Sequence, residues 1–568
     1  MRLERAMEPS WLENYEKGVP RDFTDTEGTL NTMFAETVKN HPEARSVIYF
    51  GRSFSFTEMG DMTRRMTATL RDLGVKKDDR VAIILANVPQ YIPAHYGVLG
   101  AGATVVPNNP LYTDKELQYQ LKDSGATVVI TLDLLVPKLV RIWEDTDLRH
   151  CIVCRVNDYL PGLKKYLYPI KARLEGHKRK VPTDGRFSLF TACMSKANPA
   201  DGAPEDVTPD DLAMLLYTGG TTGRSKGAIL THRNLYSNCK QVGSWLVDVQ
   251  VEREVIMAAL PFFHSYGLTT CLHFGASIAS PVILVPKFDV DEVMKEIQKQ
   301  KATIFPGVPT MYVAINTHPK ADKFDLSSIR ACLSGAAPLP VEVQKKFEEI
   351  TGGRLVEGYG LSEASPVTHA NPVYGKRKIG TTGLPIPGTD AAVVDPETKQ
   401  ELKAGEVGEM AVRGPQVMQG YWNMPEETAG QLQSGWLFTG DMAQVDSEGY
   451  FAIVDRKKDM IIAGGYNIYP REVEEVIYEH PSVLECGVIG IPDEYRGEAV
   501  KAYVVLKEGM QATEQQIMDH CAEGLARFKV PVAVVFAEDL PKSLIGKILR
   551  KEIRRMDDVG ALKPVEKE

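Results

Sequence analysis

An apolar run, Leu212 to Leu216, passes directly into the segment Tyr217 to Gly227, a succession of glycines and hydroxyl side chains. The run reads as a buried strand, and the residues after the segment, Ala228 to Leu230, lead to a helix start at Thr231 or Asn234. Gly219, Gly220, Gly223 and Gly227 let the backbone turn and bring its N–H groups close to a ligand. Thr218, Thr221, Thr222 and Ser225 add hydroxyl donors, and Lys226 adds a positive charge. Many donors, a cation and no carboxylate suit an anion, above all a phosphate. The spacing differs from the nucleotide P-loop, because Lys226 follows Ser225 and Gly227 stands where that motif needs Ser or Thr. Kinase-like and GTPase-like chemistry is therefore disfavoured. The alternative is a plain Gly/Thr surface loop, which seldom follows a buried strand.

At 568 residues the chain is too long for one ordinary core, so two or more domains are expected. A net charge of −9 argues against general nucleic-acid binding. The eight cysteines are scattered, several of them inside apolar runs, which suggests a reducing compartment. Cys151 and Cys154 form one C-x-x-C in a strand-like run, and core thiols are favoured over a zinc or redox role. Met1 to Glu8 has no apolar core of a signal peptide, and no stretch is apolar enough to span a bilayer. The expectation is a cytoplasmic protein, with peripheral attachment to the inner face of the membrane left open.

From Thr29 to Val140, helical and strand-like segments alternate as in α/β proteins. Helices are expected over Thr57–Leu73, over Tyr91–Ala101 and from Thr113, with strands at Val81–Leu85, Ala103–Val106 and Ala126–Ile130. Between Asp158 and Lys180 the character changes. Leu160, Leu163, Tyr166, Leu167, Ile170 and Leu174 are interleaved with Lys164, Lys165, Lys171, Arg173, Lys178, Arg179 and Lys180. This basic amphipathic insertion either lies on anionic lipid or forms a solvated helix packed by its leucines, with Pro161 and Pro169 limiting its length. Gly185 to Pro209 reads as a linker.

Further on, Ile256–Leu260 reads as a strand running into Phe262, Phe263 and His264; alone, that histidine would be a packed residue. Thr303 to Thr310 reads as strand then turn, with Gly307 and Val308 at the turn. Two further strands enter small-residue turns: one at Gly335, Ala336 and Ala337, the other through Glu357, Gly358, Tyr359 and Gly360 to Ser362 and Glu363. Such strand ends are where open α/β sheets bind ligands. Short segments from Gly380 to Tyr450 read as a small β-rich subdomain ending at Asp441, where Gly-Asp alone would be a turn. Asp455 to Asp459 alone would be an exposed charged turn, and Lys547, after a glycine, a surface lysine.

Taken in order, these segments resemble those of the acyl-adenylate-forming superfamily of AMP-dependent synthetases and ligases, most of all its bacterial and archaeal long-chain or medium-chain fatty acid:CoA ligases. Many members have Ser where this chain has Gly219, Pro at Ser225, and Thr at Ser362. The resemblance covers nearly the whole chain. It implies an α/β fold: a large N-terminal domain, 1–457, of α/β subdomains plus the β-rich subdomain, and a small mobile α+β C-terminal domain, 458–568. It implies ATP and CoA as co-substrates, a fatty acid as the acid activated, and Mg²⁺ held by Glu363 with Thr218.

By the same resemblance, Thr218, Gly219, Gly220, Thr221, Thr222, Gly223 and Lys226 hold phosphates, Gly335, Ala336 and Ala337 back the adenine, and Glu357, Gly358, Tyr359 and Gly360 bind the nucleotide, with Tyr359 stacking on the adenine. Ser362 meets the α-phosphate, and Asp441 and Arg456 meet the ribose. Lys458 is the hinge, Gly464, Gly465 and Tyr466 help form the pantetheine tunnel, and Lys547 bridges the carboxylate and α-phosphate. Phe263, His264, Gly307 and Val308 line the acyl pocket. Amino-acid-activating relatives place an Asp at Phe263, so an uncharged tail is expected. Other readings open to the sequence are a different acid, such as an aryl acid, or another acceptor, and a non-catalytic membrane-associated nucleotide-binding scaffold. A homodimer is among the assemblies open to it.

Overall fold

The computed structural model describes residues 10–174, 181–218, 225–463, 466–493, 496–543 and 548–560. The phosphate-loop residues Gly219 to Gly223, the tunnel residues Gly464 and Gly465, and Lys547 lie outside the described residues.

Apolar alternation with both faces covered builds the first sheet. Its seven strands run in the order Phe187–Leu189, His150–Cys154, Val128–Leu132, Arg80–Ile84, Thr104–Pro107, Leu212–Thr218 and Lys226–Thr231. All neighbours are parallel except the last pair. Val81, Ile83, Ile130 and Ile152 face one core, and Ala82, Ile84, Val129 and Val153 the other, the period-two pattern of strands buried on both sides. The same alternation separates Cys151 from Cys154: each lies in a different core, both are buried, and burial raises both thiols. They cannot share a ligand, in keeping with core thiols.

The flanking helices begin where side chains satisfy their first N–H groups. Ser55 with Glu58, Thr113 with Glu116, and Thr231 with Asn234 each form a reciprocal cap, so Thr113 and Thr231 are the starts expected from sequence. Two departures are local. The linker of 185–209 contains the edge strand Phe187–Leu189 and the helix Phe190–Lys196, pinned by the fully buried Phe190. After isolated bridges at Ile304 and Gly307, the turn near Val308 is the start of the helix Pro309–Asn316, which Pro309 favours by its fixed φ.

A second sheet holds strands Arg52–Ser55, Arg45–Tyr49, Val282–Leu284 and Ile256–Ala258. Through Ile304 it meets a third, of Ala331–Ser334, Arg354–Gly360, Val367–Ala370 and Leu384–Pro385. The expected β-rich subdomain is present as Asp390–Val394, Gly408–Arg413, Trp436–Val445, Leu432–Gln433 and Phe451–Arg456. The residues from Ile461 onward make their own five-stranded sheet with separate cores.

Asp455 is buried where these last residues meet the rest. Its carboxylate accepts from the backbone N–H of Arg456 and of Arg471, both at 2.7 Å, and from Arg550 Nη1 at 2.5 Å. Arg550 also forks onto Glu474, at 3.0 and 2.6 Å. Removing the cation would leave the buried Asp455 carboxylate and the half-buried Glu474 without their shared partner, at a cost of about 3–5 kcal/mol. Arg550→Ala should therefore lower the stability of the C-terminal part by that amount, read as a shift to lower urea in its unfolding, while Arg550→Lys loses less.

Candidate functional site

Three sheets point strand ends at one region. Leu212–Thr218 delivers Thr218, and the returning strand opens with Lys226 in register with it. Lys226 is buried, ion-paired with Glu427, and lies 5.1 Å from the centre of the Tyr421 ring. Ser225 is held by Gln120 and Tyr119, with Gln120 Nε2 donating to its hydroxyl at 3.2 Å.

Glu363 follows Arg354–Gly360, in the single helical turn Ser362–Ala364. Gly360 is required there, because a Cβ would sit 2.1 Å from the Pro366 carbonyl oxygen. Glu363 Oε1 accepts from Tyr421 Oη at 2.8 Å and from Thr218 Oγ1 at 3.4 Å. Ser362 Oγ is 3.4 Å from Ser265 Oγ. Burial, and then the Glu363 charge, push the Tyr421 phenol well above its ordinary range, so it remains a donor. Two acceptors lie within reach of its one proton, Glu363 Oε1 and Gln431 Oε1, and the carboxylate is the stronger of them.

Thr218 and Glu363 are thus within reach of one another, as a shared cation requires. Among the described residues no cluster of three or more His, Cys, Asp or Glu could hold a metal by itself. One carboxylate and a hydroxyl suit Mg²⁺, which keeps waters and takes substrate phosphate oxygens.

A second group lies beside the first. Tyr359 Oη donates to Asp441 Oδ2 at 2.5 Å, and Arg456 Nε is 3.4 Å from Asp441 Oδ1. Antiparallel pairing of Asp441 with Arg456 sets this contact. Glu357 is buried behind it: burial pushes its carboxyl up to about 7, against the pull of Arg471. Gly335, Ala336 and Ala337 follow the strand Ala331–Ser334, Ala336 with φ of 68°. Gly358 lies in the strand beside them, where it pairs with Ala370.

His264 Nδ1 accepts from the Tyr266 N–H at 3.2 Å. Gly307 leaves room for Tyr312, whose hydroxyl would lie 2.8 Å from an added Cβ, and Val308 is buried next to it. An apolar cavity of about 40 Å³ has other walls: Trp245, Leu246, Thr270, Phe274, Leu333 and Val367 among them. Thr270 belongs to the π-helical turn Leu268–His273, a rare conformation that recurs at functional sites. Lys458 is exposed, as is Tyr466, whose ring stacks on Phe528 at 4.5 Å.

A family model described as AMP-binding enzyme matches residues 34–422, and one for the AMP-binding enzyme C-terminal domain matches 472–547. The chain belongs to the AMP-binding enzyme family. Relatives called long-chain-fatty-acid–CoA ligase include one from Bacillus subtilis, 46% identical over 96% of this chain and 97% of its own, and one from Yersinia pestis, 39% identical over 96% and 98%. Among solved structures, ATP-bound MatB from Rhodopseudomonas palustris matches with a TM-score of 0.81 at 30% identity, covering 94% of this chain and 100% of its own. A fatty acyl CoA synthetase from Mycobacterium tuberculosis matches with 0.68 at 29%, covering 94% and 99%.

This AMP-binding enzyme has site residues that the sequence did not single out: Tyr421 and Glu427. They lie about 200 positions from Lys226, and no spacing announces them. Their segment is laid along the strand Lys226–Thr231 by backbone bonds, Trp422 N–H to Gly227 O at 2.8 Å and Ile229 N–H to Gly420 O at 2.9 Å. Removing the phenol's proton should loosen Glu363 without emptying the pocket. Tyr421→Phe is expected to raise the Mg²⁺ concentration needed for half-maximal ATP-dependent turnover by about tenfold, the weight of one charge-assisted hydrogen bond. A magnesium titration at saturating ATP reads it.

Proposed function

We propose that this chain is an AMP-forming fatty acid:CoA ligase acting on medium- to long-chain acids. The observation that carries the reading is an anion-binding group of strand ends adjoining an apolar chamber. The chamber wall includes Ala331 and Leu333, and the strand they share ends at Ser334, one residue before Gly335 of the nucleotide group. The full-length likeness to long-chain-fatty-acid–CoA ligases supports the same substrate class.

In this reading the acid's carboxylate attacks the α-phosphate of ATP, an O–P bond forms, and pyrophosphate leaves. Charge spreads over the phosphate oxygens, so catalysis rests on positioning and on fixed positive charge. Tyr359 stacks on the adenine while its hydroxyl and Arg456 hold Asp441 toward the ribose. Thr218, Lys226 and the loop residues up to Gly223 hold the phosphates, Lys226 exchanging Glu427 for phosphate oxygens. Ser362 meets the α-phosphate, and Glu363 with Thr218 would hold Mg²⁺, which when bound supplies charge neutralisation. Lys547 bridges carboxylate and α-phosphate. The CoA thiol then attacks the acyl carbonyl, a C–S bond forms, and AMP leaves.

The boundary between the domains falls at 457/458. Lys458 is the pivot on which the C-terminal domain turns between half-reactions, bringing Gly464, Gly465 and Tyr466 to the pantetheine arm. The break in cores near Ile461 and the exposure of Lys458 support this placement.

Trp245 forms part of the chamber wall. Its Nε1 donates to Asn371 O at 3.1 Å, and Tyr15 packs edge-on at 5.3 Å between ring centres. AMP release measured with octanoate, hexadecanoate and benzoate, with and without CoA, tests the reading: aliphatic acids with CoA should give turnover and benzoate little. Trp245→Leu should raise the preference for hexadecanoate over octanoate by about tenfold. Benzoate as the best substrate would overturn the assignment.

A further inference from the structure

The insertion at 158–180 follows the packed-leucine expectation only at Leu160, which is buried in the main core; the leucines after it are not. A helix spans Lys164–Leu174 with Pro169 inside it, and its leucines do not pack. Leu163, Tyr166, Leu167, Ile170 and Leu174 are each between 58% and 84% exposed. Their spacing of three, four, seven and eleven from Leu163 puts all five on one face of the helix. Five large apolar side chains in one outward stripe are unlike the scattered single apolar residues of an ordinary surface.

The helix is fixed from behind. Tyr168, on the side away from the stripe, is half-buried against the main core, and Asn157 Nδ2 donates to Lys165 O at 3.4 Å. The stripe is therefore held outward by the fold. The sequence of this segment is cationic in a chain of net charge −9: residues 158–180 carry seven Lys and Arg against two acids. Lys164, Lys165 and Arg173 are exposed beside the stripe, and the stem of Lys164 reaches over the Phe50 ring, 5.2 Å from Nζ to its centre.

We infer that this helix is a docking surface for a bilayer containing anionic phospholipid. The apolar stripe enters the boundary between headgroups and acyl chains while the flanking cations meet lipid phosphates, the arrangement of an interfacial amphipathic helix. A second copy of the chain is a poor occupant, because its own stripe would bring an equal ring of cations against this one. No helix among the described residues is long and apolar enough to cross a membrane, so the contact is with one face of the bilayer. The inference does not depend on the acyl-CoA reading. A surface that draws the protein to lipid would also draw it to where long-chain acids partition.

The test uses the full-length protein and no substrate. Vesicles of phosphatidylcholine alone, and vesicles with phosphatidylglycerol mixed in, are sedimented with wild type and with the triple variant Leu163→Ser, Leu167→Ser, Ile170→Ser. Wild type should bind the anionic vesicles about tenfold more tightly than the neutral ones, and added salt should weaken that binding. The triple variant should lose about tenfold or more while keeping its unfolding midpoint and its turnover of octanoate. Equal binding by wild type and variant, or no binding by wild type, overturns the inference. So does a wild-type dimer that the triple substitution dissociates, since the stripe would then belong to a second copy. Loss of ligase activity in wild type would count against the proposed function and leave this result standing.

Discussion

The carboxylate of Glu363, held by Tyr421 and Thr218, is the contact on which the arrangement of the site depends. Thr218 ends a strand of the seven-stranded sheet, Glu363 follows a strand of another, and Tyr421 belongs to the connection between Gly408–Arg413 and Leu432–Gln433 of the β-rich subdomain. Each comes from a different sheet or its connection, so the knot fixes how the strand ends meet. A hydrogen bond to an ionised group contributes about 1.5–3 kcal/mol, and losing one here would leave a half-buried carboxylate poorly satisfied. The further bond from Met418 N–H to Glu363 O, at 2.8 Å, carries the same segment alongside.

The charges around this knot are balanced in a way that suits an exchange of partners. Lys226 rests on Glu427, with the Tyr421 ring beneath it, so the cation is buried without being stranded. In the proposed reading a polyphosphate, which brings its own negative charge, would take the place of Glu427. Asp441 is likewise satisfied by Tyr359 and Arg456. The apolar chamber needs no such device: its walls are aliphatic and aromatic, and a hydrocarbon tail entering it leaves no polar group unpaired.

Much of this was legible in the sequence because it is local. Alternating apolar residues fixed the strands at Arg80–Ile84 and Val128–Leu132, and Thr113 and Thr231 announced helix starts through caps that act within three residues. The glycine and threonine run after Leu216 was read as an anion site from a pattern equally local, and its residues Gly219 to Gly223 lie outside the described residues. What was missed is non-local. Tyr421 and Glu427 meet Lys226 only after the chain has passed through three sheets, and the chamber draws on a helix, a π-helical turn and several strands. The edge strand Phe187–Leu189 is too short to show a period. For Lys164–Leu174 the pattern gave the amphipathic helix but not which way its apolar face turns, since that is set by Tyr168 and the core behind it.

The central claim is that the strand ends gathered around Glu363 form a mixed anhydride between a fatty acid and AMP. Isotope exchange between labelled pyrophosphate and ATP, in magnesium and without CoA, tests it most directly, because only reversible adenylation returns label to ATP. The account predicts exchange that depends on added hexadecanoate and is lost in Glu363→Gln. Exchange without any acid, or CoA-dependent turnover with no exchange under any condition, would contradict it.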